Sequence, residues 1–391
     1  MAFLQKFSIC KFSLKNTQLI SAWRRKKIVF AVASYIFIVT QVYADNQYEY
    51  PLDVRNNFAP TYLHLDPQAV SPTTLSKGKS YLNTNLSLAS DIKSSNLYAE
   101  KDIPFDYQRP VLWDFFRKRY PSQETAYLVT DYFRFGRLEN QYRTEVDLES
   151  SLFQLRYNYG LTNSLEVGIQ VSAISLNTGV LDGFINSYHS LIGVKTGKEL
   201  VDNNVYKYKI TDEAMYPVIG TPPRTGVGDS ILSGKWNIKS SPENGFSSAL
   251  VAMVKIPTGS FKYEMSNGKV DGAFGISSKY KYKKFRTYLN LYGVGVSNSL
   301  ENSNISLRNF VSSTLTFEYQ IFEKMSALVQ IDAKSSAFRS HTPFLSRPPV
   351  MLSMGLNIKV RSTSMLQLIF MEDLTITVPD VTMQVGWREY L

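Results

Sequence analysis

An all-β chain closed into an antiparallel transmembrane barrel of the outer-membrane type is what this sequence predicts. Three observations carry that reading: segments of about ten residues that alternate apolar and polar, an export signal ahead of them, and connections that are short and long in turn. Residues 151–174 show the alternation best. Phe153, Leu155, Tyr157 and Tyr159 alternate with Leu152, Gln154, Arg156 and Asn158. After the turn Gly160-Leu161-Thr162-Asn163-Ser164, Leu165, Val167, Ile169, Val171 and Ala173 alternate with Glu166, Gly168, Gln170 and Ser172. A period of two puts one series on each face of a strand.

Residues 1–44 read as a targeting segment rather than as fold. Arg24-Arg25-Lys26-Lys27 is a basic region, Ile28 to Thr40 an uncharged apolar core, and Val42-Tyr43-Ala44 a cleavage site with small outer residues, so cleavage is expected after Ala44. The apolar run is short for an uncleaved membrane anchor. The segment holds seven Lys and Arg and no acid, which leaves 36 Lys and Arg against 33 Asp and Glu, or +3, for the rest. The high pI thus gives nucleic-acid binding no support. The single cysteine, Cys10, lies in the targeting segment, so the mature chain is expected to hold no disulfide, thiolate metal site or lipidated cysteine.

Residues 45–79, rich in Asn and Pro, read as an extended N-terminal periplasmic arm, and 80–391 as the barrel. The first strand is expected over Tyr81–Ala89. Residues 90–124 read as a loop, and Ala126–Gly136 has β-rich composition with poor alternation. Within the long interruption 175–227, Val180, Leu181, Phe184, Ile185, Tyr188 and Leu191 recur at helical spacing and predict a short amphipathic helix. Further strands are expected in 229–238, 248–256, 272–280, 311–319, 327–334, 350–359 and 381–388, with 286–296 and 365–372 strand-like but apolar on both faces. The total is twelve strands, or thirteen if Ala126–Gly136 spans; because bacterial single-chain barrels have even numbers, twelve is expected, with fourteen as the alternative.

One parity of these segments carries charge: Arg156, Glu166, Asp229, Lys235, Lys255, Glu318, Asp332 and Lys359. A Lys or Arg facing lipid at mid-bilayer costs about 2–4 kcal/mol, so this parity is expected to line the lumen. A soluble sandwich would place the same charges outside. Strand length, loop alternation and the aromatics near strand ends (Tyr157, Tyr159, Tyr280, Tyr319 and Trp387) favour the barrel, with the short turns facing the periplasm.

The order of several short motifs resembles a family of uncharacterised outer-membrane proteins, the domain of unknown function numbered 3187. They are Pro51-Leu52-Asp53-Val54-Arg55-Asn56-Asn57, the 159–168 hairpin, Leu181-Asp182-Gly183-Phe184-Ile185 with Tyr188-His189, Gly226-Val227-Gly228-Asp229, Lys255-Ile256-Pro257-Thr258-Gly259, Glu372-Asp373 and Pro379-Asp380-Val381. The Gly-x-Gly-Asp and Pro-Thr-Gly pair is also similar to barrels linked to uptake of aromatic compounds, which implies a passive pore. The ending Trp387-Arg388-Glu389-Tyr390-Leu391 departs from the aromatic terminus such barrels commonly carry.

No catalytic, cofactor or metal site is expected. His64, His189 and His341 lack ligand spacing. His189-Ser190 near Asp182 would serve a rim-mounted lipid-modifying enzyme only if hydroxyl and base came within hydrogen-bond reach. Gly226-Val227-Gly228-Asp229 precedes a strand and is no dinucleotide loop. The eight charged residues are the functional candidates. They either tune passage of a small solute or pair with one another in a plugged interior. The expected function is a passive channel in the cell outer membrane, with a structural or adhesive barrel and the lipid-modifying enzyme as alternatives. Outer-membrane lipid, lipopolysaccharide and the barrel insertion machinery are the expected partners, with a small-molecule solute and without nucleic acid or cofactor.

Overall fold

The computed structural model describes residues 49–94, 143–179, 205–211, 217–241, 244–297, 306–339 and 343–391, together with Leu181, Gly183 and Ser187, all within one compact unit. Twelve strands make the wall: β1 (Ser80–Ser94), β2 (Arg143–Gly160), β3 (Leu165–Asn177), β4 (Ser230–Lys239), β5 (Gly245–Ile256), β6 (Asp271–Tyr282), β7 (Phe285–Gly295), β8 (Phe310–Phe322), β9 (Met325–Lys334), β10 (Val350–Lys359), β11 (Ser364–Asp373) and β12 (Val381–Tyr390). Each pairs antiparallel with the strands before and after it in this order. The ring closes where β12 meets β1, with Tyr81 opposite Tyr390 and Ser90 opposite Val381. Closure leaves no unpaired wall edge, which a spanning sheet requires in hydrocarbon.

The side-chain alternation follows the sequence. Phe274, Val311, Tyr319 and Val385 face outward and are more than half exposed, while Gln154, Ser277, Thr316 and Gln330 face inward and are buried. The aromatics Tyr157, Tyr159, Tyr280, Tyr319 and Trp387 are all outward and lie near the short-turn ends of their strands. Glu389 does not break the outer face. At the short-turn rim it accepts hydrogen bonds from Ser364 Oγ at 2.6 Å, Thr363 Oγ1 at 2.8 Å and Trp387 Nε1 at 3.2 Å.

Two boundaries differ from expectation. β1 runs five residues past Ala89, and β2 begins at Arg143. Beyond Ala89 the inward series is Asp91 and Lys93, both fully buried, so the polarity contrast that marks a strand is missing there. Lys93 is held by Asp380, whose other oxygen takes the Ile92 N–H at 2.8 Å, and lies 3.8 Å from Asp373. The Glu372-Asp373 and Pro379-Asp380 motifs thus anchor the long-loop end of β1. Ala126–Gly136 lies outside the described residues. So does most of the helix expected over 180–191, where Ser187 Oγ donates to Gly183 O at 2.8 Å and Leu181 packs on Val381.

The segment expected to be a periplasmic arm is instead the filling of the barrel. From Tyr50 to Ala69 every residue is buried. The described part of the arm starts beside the short-turn ends of β6 and β7, where Glu49 meets Lys279 and Arg286. It rises to a 3₁₀ turn, Ala59–Leu63, and returns to the short-turn end, where Gly78 N–H donates to Gly160 O at 2.9 Å. Gly160 is required there, because a Cβ would lie 2.4 Å from Ser76 O. The main core sits inside the ring, where Phe58, Tyr62, Leu63 and Leu65 pack against inward residues such as Leu152, Val251 and Tyr292. A sequence of small polar residues with scattered apolar ones resembles an unstructured arm because the surface it buries against belongs to strands far away in the chain.

Candidate functional site

Buried backbone groups need partners, and the arm takes many of its own from wall side chains. Leu52 N–H donates to Gln330 Oε1 at 3.0 Å and Asp53 N–H to Gln367 Oε1 at 2.9 Å. Asn357 Nδ2 donates to Tyr50 O at 2.8 Å, Gln384 Nε2 to Asp53 O at 2.7 Å, and Ser277 Oγ to Val70 O at 2.7 Å. Among the described residues no backbone ladder joins residues 49–77 to the wall; backbone meets wall backbone only at Gly78 and Lys79, beside Gly160, so side chains hold the rest of the arm in place.

Charge completes the attachment. Each described arm carboxylate meets at least one wall cation. Asp53 Oδ2 lies 3.1 Å from Arg156 Nη1 and accepts from Asn83 Nδ2 at 2.7 Å. Asp66 pairs with Lys334 and takes the Asn56 N–H at 3.2 Å. Glu49 lies within 2.9 Å of Lys279, Lys281 and Arg286. Arg388, 1 % exposed, sits between the Tyr50 and Tyr81 rings, 3.6 and 4.8 Å from their centroids. Between the arm and β1–β5 a small pocket remains, with Gln68, Arg156, Glu166 and Lys235 in its lining.

Of the eight sequence candidates, seven are inward and buried or nearly so, and Lys359 is half-buried. The structure divides them. Arg156 and Lys235 engage the arm: besides Asp53, Arg156 Nε donates to Gln170 at 2.8 Å, and Lys235 Nζ donates to Thr73 O at 2.8 Å. Glu166 also touches the arm, accepting Leu75 N–H at 3.0 Å, and pairs with Lys235 at 3.1 Å. Asp229 and Lys255 form a second cluster at the long-loop end, where Lys255 Nζ lies 2.8 Å from Asp229, 3.1 Å from Asp271 and 2.6 Å from Asn267, and where Asp271 Oδ2 accepts the arm's Leu65 N–H at 3.0 Å. This brings the two loop motifs together, for Gly259 N–H donates to Asp229 Oδ1 at 2.9 Å and Ser230 N–H to Thr258 Oγ1 at 2.8 Å. Glu318 accepts the Tyr288 hydroxyl at 2.7 Å, and Asp332 the Thr314 hydroxyl at 2.6 Å.

Sequence reasoning missed Glu49, Asp53 and Asp66 on the arm and Lys279, Lys281, Arg286, Lys334 and Arg388 on the wall. Parity was the available signal for Lys279, Lys334 and Arg388, which fall on the polar series of their strands, whereas Lys281 lies just past its expected strand and Arg286 in a segment apolar on both faces. His64 is buried edge-on to Phe310 and Phe338, with centroids 5.2 and 5.7 Å away. Asp182, His189, Ser190 and His341 lie outside the described residues. Among the described residues no group of His, Cys, Asp and Glu could hold a metal ion.

No curated protein matches the chain in sequence. Among solved structures it is similar to the COG4313 outer membrane channel from Pseudomonas putida F1, over 84 % of this chain and 100 % of that one, at 10 % identity and a TM-score of 0.50. Other similar structures are the NanC porin (62 % and 94 % covered, 8 % identity, TM-score 0.38) and the P. putida toluene transporter TodX (81 % and 89 % covered, 9 % identity, TM-score 0.33). At 10 % identity the likeness to the first is one of barrel fold. The family model described as protein of unknown function DUF3187 matches residues 138–390, which take in β2 through β12. The chain therefore belongs to the DUF3187 family.

Proposed function

We propose that this protein is a passive outer-membrane channel for a small solute, held closed by its own N-terminal arm. The observation that carries the reading is the way the arm is attached. It fills the lumen by side-chain hydrogen bonds, ion pairs and apolar packing, and the wall is a complete ring without it. A segment that joined the wall by β-pairing would be a fixed part of the barrel, whereas this one can leave without breaking a ladder. Cleavage after Ala44 would give the arm a free end close to Glu49. On this reading the outward aromatics contact lipid and lipopolysaccharide, the insertion machinery handles the last strand, and no catalytic step is involved.

Planar-bilayer conductance tests the proposal. The mature protein is expected to be mostly silent, and a variant lacking residues 45–74 to conduct. Asp53→Cys with Asn83→Cys, bridged by a short bis-thiol reagent, is expected to suppress openings and to regain them when the bridge is cut. Lys235→Glu with Lys255→Glu is expected to move ion preference towards cations. A folded arm-deleted barrel that stays silent would sink the channel. The second reading, a structural barrel, is favoured by Lys255 with Asp229 and Asp271, because this cation finds both of its acids in the wall and its adjoining loop. Silence of the arm-deleted barrel is its expected result.

A further inference from the structure

We propose that Lys279, Lys281 and Arg286 form a carboxylate-binding site at the short-turn end of the lumen, occupied by Glu49 when the arm is seated and open to an anionic solute when it is not. The proposal rests on the channel reading and gives that channel a ligand class, a small monocarboxylate.

The geometry is that of a clamp. Lys281 Nζ lies 2.7 Å and Arg286 Nε 2.8 Å from Glu49 Oε1, while Lys279 Nζ donates to Oε2 at 2.9 Å. All four side chains are less than a tenth exposed. The cations belong to the wall, on neighbouring strands β6 and β7, and Arg286 and Lys281 are direct cross-strand partners. The carboxylate belongs to the removable element. The nearest other acid is Glu318, 3.7 Å from Arg286 Nη1 and already holding the Tyr288 hydroxyl. Lys279 also reaches Thr73 Oγ1 at 3.4 Å, and Arg286 Nη2 donates to Gln320 Oε1 at 3.3 Å. Three wall cations against Glu318 leave +2 once Glu49 departs. Clustered like charges with little water need an anion. The group that fits between them is the one now there, a carboxylate with cations on both oxygens. A solute carrying that group competes with Glu49 for one seat, so its binding and release of the arm's first residues are coupled.

The test uses the purified full-length mature protein in zwitterionic detergent and reads the heat-modification temperature on gels. Sodium acetate is compared with sodium chloride and with neutral acetamide at matched ionic strength. Glu49→Ala is expected to lower the transition, and acetate to raise it again saturably, beyond any effect of chloride or acetamide. Wild type is expected not to respond to acetate. Adding Arg286→Gln to Glu49→Ala is expected to abolish the acetate shift. Equal shifts with acetate and chloride, or an equal acetate response in wild type, would overturn the site. Should Glu49→Ala not fold, refolded Glu49→Cys repeats the test. A sulfonate-bearing thiol reagent is expected to raise its transition and an ammonium-bearing one to lower it, and equal effects would overturn the site. None of these readouts needs conduction, so a failed site and a failed channel give different results.

Discussion

Arg388 of the last strand lies 3.6 Å from the ring centroid of Tyr50, one of the first residues of the arm, and 4.8 Å from that of Tyr81 on the first strand. One buried guanidinium thus ties the barrel seam to its plug. A desolvated cation–π contact contributes roughly 2 kcal/mol. Arg388→Lys keeps the charge but loses the flat stacking surface. We expect it to loosen the arm, seen as faster proteolysis near Tyr50, while the barrel keeps its anomalous gel migration. Tyr50→Leu is expected to do the same, and Tyr50→Phe to do much less.

Asp53 and Arg156 make a second tie. Removing the acid leaves a buried guanidinium without its carboxylate, a change that costs about 3–5 kcal/mol in other buried pairs. Asp53→Ala should therefore lower stability to denaturant by a few kcal/mol, as should Arg156→Ala. The double variant Asp53→Ala with Arg156→Ala should lose clearly less than the sum of the two, since neither charge is stranded. Additive losses in urea titrations of refolded protein would show that the two side chains act apart.

The wall was legible in the sequence and its contents were not. Period-two alternation gives the strands and their faces because each lipid-facing side chain meets one uniform solvent. Phe153, Ile169 and Val385 had no other surface to bury against. The inner face meets another part of the chain, and no local pattern records that. This explains the two segments that read as apolar on both sides. Tyr292 and Val294 of β7 pack on the arm's Phe58–Leu65 cluster, and Ile369 and Met371 of β11 pack around Leu52 and Val54. The inward amides belong to the same account. Gln330, Gln367 and Gln384 look like water-facing residues, and they bond the arm backbone instead. The charge parity placed Arg156 and Lys235 on the inner face, but their partners Asp53 and Thr73 lie more than a hundred residues away in one case and far upstream in the other. Pairing at that distance leaves no spacing to read.

Leu52 allows the packing to be tested apart from charge. It is fully buried among Leu328, Met351, Ile369, Met371 and Val378. Truncating a buried leucine to alanine costs about 2–5 kcal/mol. Because the surroundings of Leu52 are wall side chains, Leu52→Ala should weaken seating of the arm and spare the wall. We expect more frequent channel openings with an unchanged fully open conductance. A variant that opened no more often than wild type would show that Leu52 does not limit release.

Lys255 offers the opposite case, a buried cation whose acids, Asp229 and Asp271, lie on the barrel's long-loop end and not on the arm. Lys255→Met places two carboxylates beside each other without their shared cation. Their mutual repulsion then destabilises the pair where they are buried. The Gly259 N–H bond to Asp229 and the Asn267 bond to Lys255 hold the 257–270 loop against the wall, and both weaken with that change. The expected outcome is faster cleavage within 257–270 by added protease. Asp271 also accepts the Leu65 N–H of the arm at 3.0 Å, so the arm is expected to loosen locally at Leu65 while Glu49 and Asp53, held by other cations, keep their wild-type accessibility. Equal loosening of loop and arm would mean that the two clusters form one cooperative unit, and that the arm could not leave without disturbing the outer loops.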